Sequence, residues 1–183
     1  MANCLLNNDL IKSTICGYSL GEIARIYLAN YEEVTATTVD TEDGQAVATI
    51  TMASGKKFYK IDPAKNSATW TDELVVTDSG SKYRTHTLNF NVIGSYSAEW
   101  ADVVDALALG KYIAVVKRSD GVYVMLGRTA GLEATVATVG GSSDDSVING
   151  LQVTLTANAA EVALPLSNTA ISVVEGGPVA PKP

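Results

Sequence analysis

The chain has 183 residues, 46% of them hydrophobic and 18% charged, which suits one folded domain with a buried core and excludes a disordered chain. Thirteen basic against twenty acidic residues give a formal charge of -7, which repels a phosphate backbone and argues against a protein that reads nucleic-acid sequence. Two cysteines without a CxxC pair, and one histidine, argue against zinc and redox centres, so no cofactor is expected.

In chain order, residues 1–20 hold neither the helical nor the strand period and read as an N-terminal arm with short apolar anchors. Cys4 and Cys16 lie in it and read as incidental or buried thiols. In EIARIYLANYEEV the isoleucines and tyrosine predict a strand through Tyr27. Asp43-Gly44 marks a turn, and AVATITM, Ser54-Gly55 and KKFYKI predict one hairpin over residues 46–61. A second, longer hairpin is predicted from ATWTDELVV and KYRTHTLNFNVI, with its tip at residues 78–81. Leu88, Phe90 and Val92 alternate with Thr87, Asn89 and Asn91, while Leu74 and Val76 alternate on the facing arm. Each arm therefore has one apolar face and one threonine-rich face that meets water or a partner.

SAEWADVVDALAL predicts the one clear helix. Trp100, Val103, Val104 and Leu107 fall on one face, Ser97 is placed to cap the start, and Gly110 to end it in the left-handed conformation. Two dense apolar runs follow, Lys111 to Lys117 and Val122 to Leu126, joined by a tight Asp120-Gly121 turn. LEATVATV and LQVTLTA predict two more strands around the loop GGSSDDSVING. Beyond Pro165, TAISVV is strand-like enough to dock on an open sheet edge, such as a neighbour's, before the tail GGPVAPKP.

Few side chains suggest chemistry. His86 has no carboxylate at a recurring spacing and reads as structural. Asp144 and Asp145 lack the alternating oxygen ligands and closing glutamate of a calcium loop. The glycines at 127, 131, 140 and 141 match no phosphate-loop pattern. Trp100 reads as core, whereas Trp70, in TWTDE, fits either a core plug or an aromatic anchor between subunits. Asp72 and Glu73 are most simply solvated acids.

Several segments together resemble small virion proteins of tailed bacteriophages, particularly the tail-tube-like and ring-like proteins of Bacteroidetes phages: CGYSLGEIARIYLANYEEV, GKKFYKI, KYRTHTLNF, GKYIAVVKRSDGVYVMLGRTAGLEAT and NGLQVTLTANAAEVAL. The resemblance implies a mainly β fold, a sandwich or partly closed barrel over residues 21–166 with one flanking helix and a long hairpin, and a C-terminal extension over residues 167–183. It implies a homo-oligomer, a hexameric ring, that joins other tail or neck proteins in the virion and lets DNA pass without specific contact. On that reading the chain is not an enzyme, is made in the host cytoplasm and has no membrane span. Trp70, Asp72, Glu73, Asp144 and Asp145 are then the candidates for the subunit interface or the lumen. A particle-displayed domain binding carbohydrate or protein is the competing expectation.

Overall fold

The computed structural model describes residues 22–40, 45–94, 97–140 and 150–176. It is mainly β, with open antiparallel sheets. The strands are β1 (Ile23–Asn30), β2 (Val34–Asp40), β3 (Ala46–Met52), β4 (Tyr59–Ile61), β5 (Thr69–Val76), β6 (Lys82–Ile93), β7 (Lys111–Arg118), β8 (Tyr123–Leu126), β9 (Leu132–Gly140), β10 (Gly150–Ala159) and β11 (Leu164–Pro165). Helix α1 (Ala98–Leu109) follows β6, and a second helix, α2 (Asn168–Glu175), follows β11. Nine strands form one sheet ordered β11-β8-β7-β9-β10-β6-β5, with β1 on the other edge of β7 and β4 beyond β1; β2 and β3 pair separately.

The dense apolar runs are explained by burial on both faces of β1, β7 and β8. Ile26, Leu28, Ala114, Val116, Val124 and Leu126 face a first core, while Tyr27, Ala29, Ile113, Val115, Tyr123 and Met125 face a second. A strand covered on both sides has no polar face to show, so alternation disappears from its sequence. The first core is completed by Leu88 and Phe90 of β6, by Leu151, Val153, Leu155 and Ala157 of β10, and by Leu107 of α1. The large sheet therefore folds over on itself, with β9, β10, β6 and β5 packed against β1, β7 and β8. The second core lies beneath β2, β3 and α2, where Val47, Ile50, Ala170 and Val174 are buried.

Helix α1 starts as its sequence predicts, with the Ser97 side chain accepting a hydrogen bond from the Trp100 amide, a cap worth about 1 kcal/mol. Its end differs from expectation. Gly110 is extended (φ -87°, ψ 172°) and not left-handed. Glycine is required there by close approach, since a Cβ would lie 2.1 Å from the Tyr112 hydroxyl, which donates to the Ala106 carbonyl.

Three further expectations are corrected. Residues 46–61 are not one hairpin: β3 pairs with β2, and β4 with β1. Val47 and Ile50 belong to the second core whereas Ile61 packs on the first, and one hairpin cannot serve both. Residues 169–174 are helical, not a strand for a neighbour's edge. Ser167 caps α2 by accepting from the Ala170 amide, left-handed Gly176 (φ 77°) closes it, and Ala170 and Val174 share its buried face. Two helices thus flank the sheets instead of one. The Asp43-Gly44 turn, Cys4, Cys16, the arm over residues 1–20 and the tail beyond Gly176 lie outside the described residues.

Candidate assembly surface

The long hairpin forms as predicted, in register from Thr69 opposite Asn89 to Val76 opposite Lys82. Trp70, Asp72, Leu74 and Val76 project to the core side, as do Leu88, His86, Arg84 and Lys82 opposite them. The core ends before the hairpin does. Trp70 is half-buried and packs against the first core. Two residue pairs further out, Leu74 and Val76 are 57% and 56% exposed. The apolar side of β5 thus continues past anything among the described residues that covers it.

A polar node closes the core at that point. The Asp72 carboxylate accepts from Arg84 Nε at 2.5 Å and from the Ala163 amide at 2.9 Å, and its side chain is 7% exposed. The expectation that Asp72 faces a lumen is therefore corrected: its charge is spent inside the molecule, tying β5 to β6 and to the turn before β11. His86 is buried beside it. The Gly127 amide donates to His86 Nδ1 at 3.3 Å, which leaves the proton on Nε2, 3.2 Å from the Glu161 carbonyl. Gly127 has φ +72° in the turn between β8 and β9, and a Cβ would lie 2.8 Å from Leu132 Cγ. That turn gives its amide to histidine. Glu161 also pairs with Arg128, whose Nη1 reaches Thr37 Oγ1 at 3.1 Å and so links the node to β2.

Burial holds the His86 pKa below its ordinary value, against the opposing pull of Asp72. The unfolded chain consequently takes up a proton near pH 6.5 while the folded chain resists it. This contribution to stability is complete above that value and is lost as pH falls towards the folded pKa. Urea unfolding is expected to show a decline in stability between pH 7.5 and 5.5 that is shallower in His86→Gln. Equal slopes in the two proteins would place the titration elsewhere.

The opposite face of the same four strands has a different character. Thr85, Thr87, Asn89 and Asn91 on β6 stand beside Asn158, Thr156, Thr154 and Gln152 on β10, with Thr69, Thr71 and Glu73 on β5 and Val136 and Thr138 on β9 completing the rows. Side chains bridge neighbouring strands: Thr154 Oγ1 donates to Asn89 Oδ1 at 2.7 Å, and Thr85 Oγ1 to Asn158 Oδ1 at 3.1 Å. Among the described residues of these four strands, no lysine or arginine projects from this face. Glu73 is exposed on it, and Glu133 stands at its far corner, paired with Lys111 of β7 at 3.3 Å. β5 pairs only with β6 among the described residues, and β9 beyond Glu133 only with β10, so both borders of this half-sheet present unpaired backbone.

Asp144 and Asp145 lie outside the described residues. Among those described, no three His, Cys, Asp or Glu side chains converge as metal ligands, and no helix is long and apolar enough to cross a membrane. No family model, curated protein or solved structure matches the chain.

Proposed function

We propose that this chain is a virion structural protein of the tail-tube or ring type, which assembles copies of itself into a conduit of the phage tail or neck and catalyses no reaction. One observation supports this above the others: the long hairpin outgrows its own core, presenting Leu74 and Val76 beside an unpaired strand border. Exposed apolar side chains along an open border are an aggregation hazard in a monomer, and rotational symmetry removes the hazard by joining each border to the next copy.

On this reading the threonine and asparagine face lines the passage. A duplex presents a negative charge about every 1.7 Å, so a wall with cations would hold it at every ring, whereas hydroxyls and amides with a few acids let it slide. Glu73 is the lumen acid of this arrangement, and Trp70 supports the wall from behind.

Electron microscopy of the purified protein over a range of concentrations is expected to show rings or tubes. Leu74→Glu/Val76→Glu is expected to abolish them and leave a folded monomer, because substitutions at exposed positions change intrinsic stability by only about 0.5 kcal/mol. A wild-type protein that stays monomeric when concentrated would overturn the reading and favour a displayed binding domain.

A further inference from the structure

The polar node around His86 is arranged so that one proton decides whether it holds. His86 is 1% exposed and stands among charged side chains brought by four different elements. β5 supplies Asp72, whose Oδ1 lies 3.7 Å from His86 Nε2, and β6 supplies Arg84, which pairs with that carboxylate. The segment between β10 and β11 supplies Glu161, and the turn between β8 and β9 supplies Arg128, which pairs with Glu161. Ala157, opposite His86 on β10, brings no charge.

The two nitrogens of the ring face opposite chemistry. On the Nε2 side stand two acceptors, the Glu161 carbonyl and the Asp72 carboxylate, so a proton there is well placed. On the Nδ1 side stands a donor, the buried amide of Gly127. A second proton would turn Nδ1 from an acceptor into a donor, and two N–H groups would then face each other across 3.3 Å. Burial disfavours the charged ring, Asp72 and Glu161 favour it, and Arg84 opposes it. None of these charges can make the Gly127 amide accept a proton, so the imidazolium does not fit the closed node.

The misfit falls on a turn that reaches well beyond the histidine. Arg128 Nη1 donates to Thr37 Oγ1 of β2 at 3.1 Å, and the carbonyl of exposed Thr129 accepts from the Tyr31 hydroxyl at 2.8 Å. We propose that protonation of His86 releases the turn over residues 127–131 from the node, an acid-driven local opening that also lets go of Thr37 and Tyr31. The device works within one molecule and does not require copies of the chain to meet.

Amide hydrogen exchange of the full chain, corrected for the intrinsic pH dependence of exchange, tests this by comparing protection at about pH 7.5 and about pH 5.5. One pH unit below the ordinary histidine value of about 6.5, an opening that frees the ring is favoured by up to about tenfold. Protection of residues 127–131 is therefore expected to fall about three- to tenfold in wild type while β7 keeps its own. In His86→Asn the side-chain carbonyl stands where Nδ1 stood and cannot titrate, so protection there is expected to be the same at both values. A fall of less than about twofold, a fall shared equally by β7, or an equal fall in the variant would overturn the inference. Wild type alone decides if the variant does not fold. The Gly127 amide and the ring of His86, the one histidine of the chain, are expected to titrate with a common midpoint below 6.5, and separate midpoints would overturn the inference equally.

Discussion

Phe90→Ala is expected to destabilise the fold by about 3–5 kcal/mol, the range for removing a buried aromatic side chain. Phe90 is 1% exposed in the first core and pairs with Val153 across the strand boundary. Its ring packs in the first core and lies near Trp100, Val104 and Leu107 of α1, so its loss leaves a cavity that its neighbours fill only in part. Urea unfolding followed by tryptophan fluorescence gives the number. Phe90→Leu, which refills most of the volume, is expected to recover more than half of the loss. An alanine variant within 1 kcal/mol of wild type would mean that the halves are not held together at this point.

The second large effect is expected at Asp72. Removing its carboxylate strips the Ala163 amide of its acceptor and leaves the Arg84 guanidinium without its partner at the edge of the core. Breaking a buried pair on one side costs about 3–5 kcal/mol, and the partial exposure of Arg84 reduces this to about 2–3 kcal/mol for Asp72→Ala. Asp72→Asn keeps a neutral acceptor and is expected to fall between alanine and wild type. Charge alone does not explain the site if asparagine and alanine are equally damaging, since geometry would then decide. Neither outcome is compatible with Asp72 as a solvated acid.

That residue shows where the sequence was legible and where it was not. Alternation along β6 revealed which side chains face the core, because period two survives wherever one face is wet. The same period on β5 placed Leu74 and Val76 on the correct side and still misjudged them, since a pattern records direction but not how far the core extends. Asp72 sits in the core-side phase between Trp70 and Leu74, and that phase was the available sign of its burial. Its partners, Arg84 and Ala163, are remote in the chain, so no local pattern could name them.

Helix α2 illustrates the opposite failure. Thr169, Ile171, Val173 and Val174 are β-formers by propensity and predict a strand, whereas the structure caps a helix there with Ser167 and Gly176. Packing decided the matter: Ala170 and Val174, one turn apart, fill a gap over β3 that a strand would leave half empty. The polar lattice was visible as threonine-rich alternation, but its width of four strands required the pairing of β10 with both β6 and β9.

Central strand β7 is covered above and below and hydrogen-bonded on either side. It cannot be drawn out without dismantling both halves of the molecule, whereas the tip of the long hairpin beyond Asp72, where Leu74 and Val76 are exposed, can open while its neighbours persist. Mechanical load applied along such a protein is therefore borne unevenly, with an unyielding spine at one side and a compliant margin at the other. A body of this kind can adjust its outline to whatever abuts it without surrendering its own integrity.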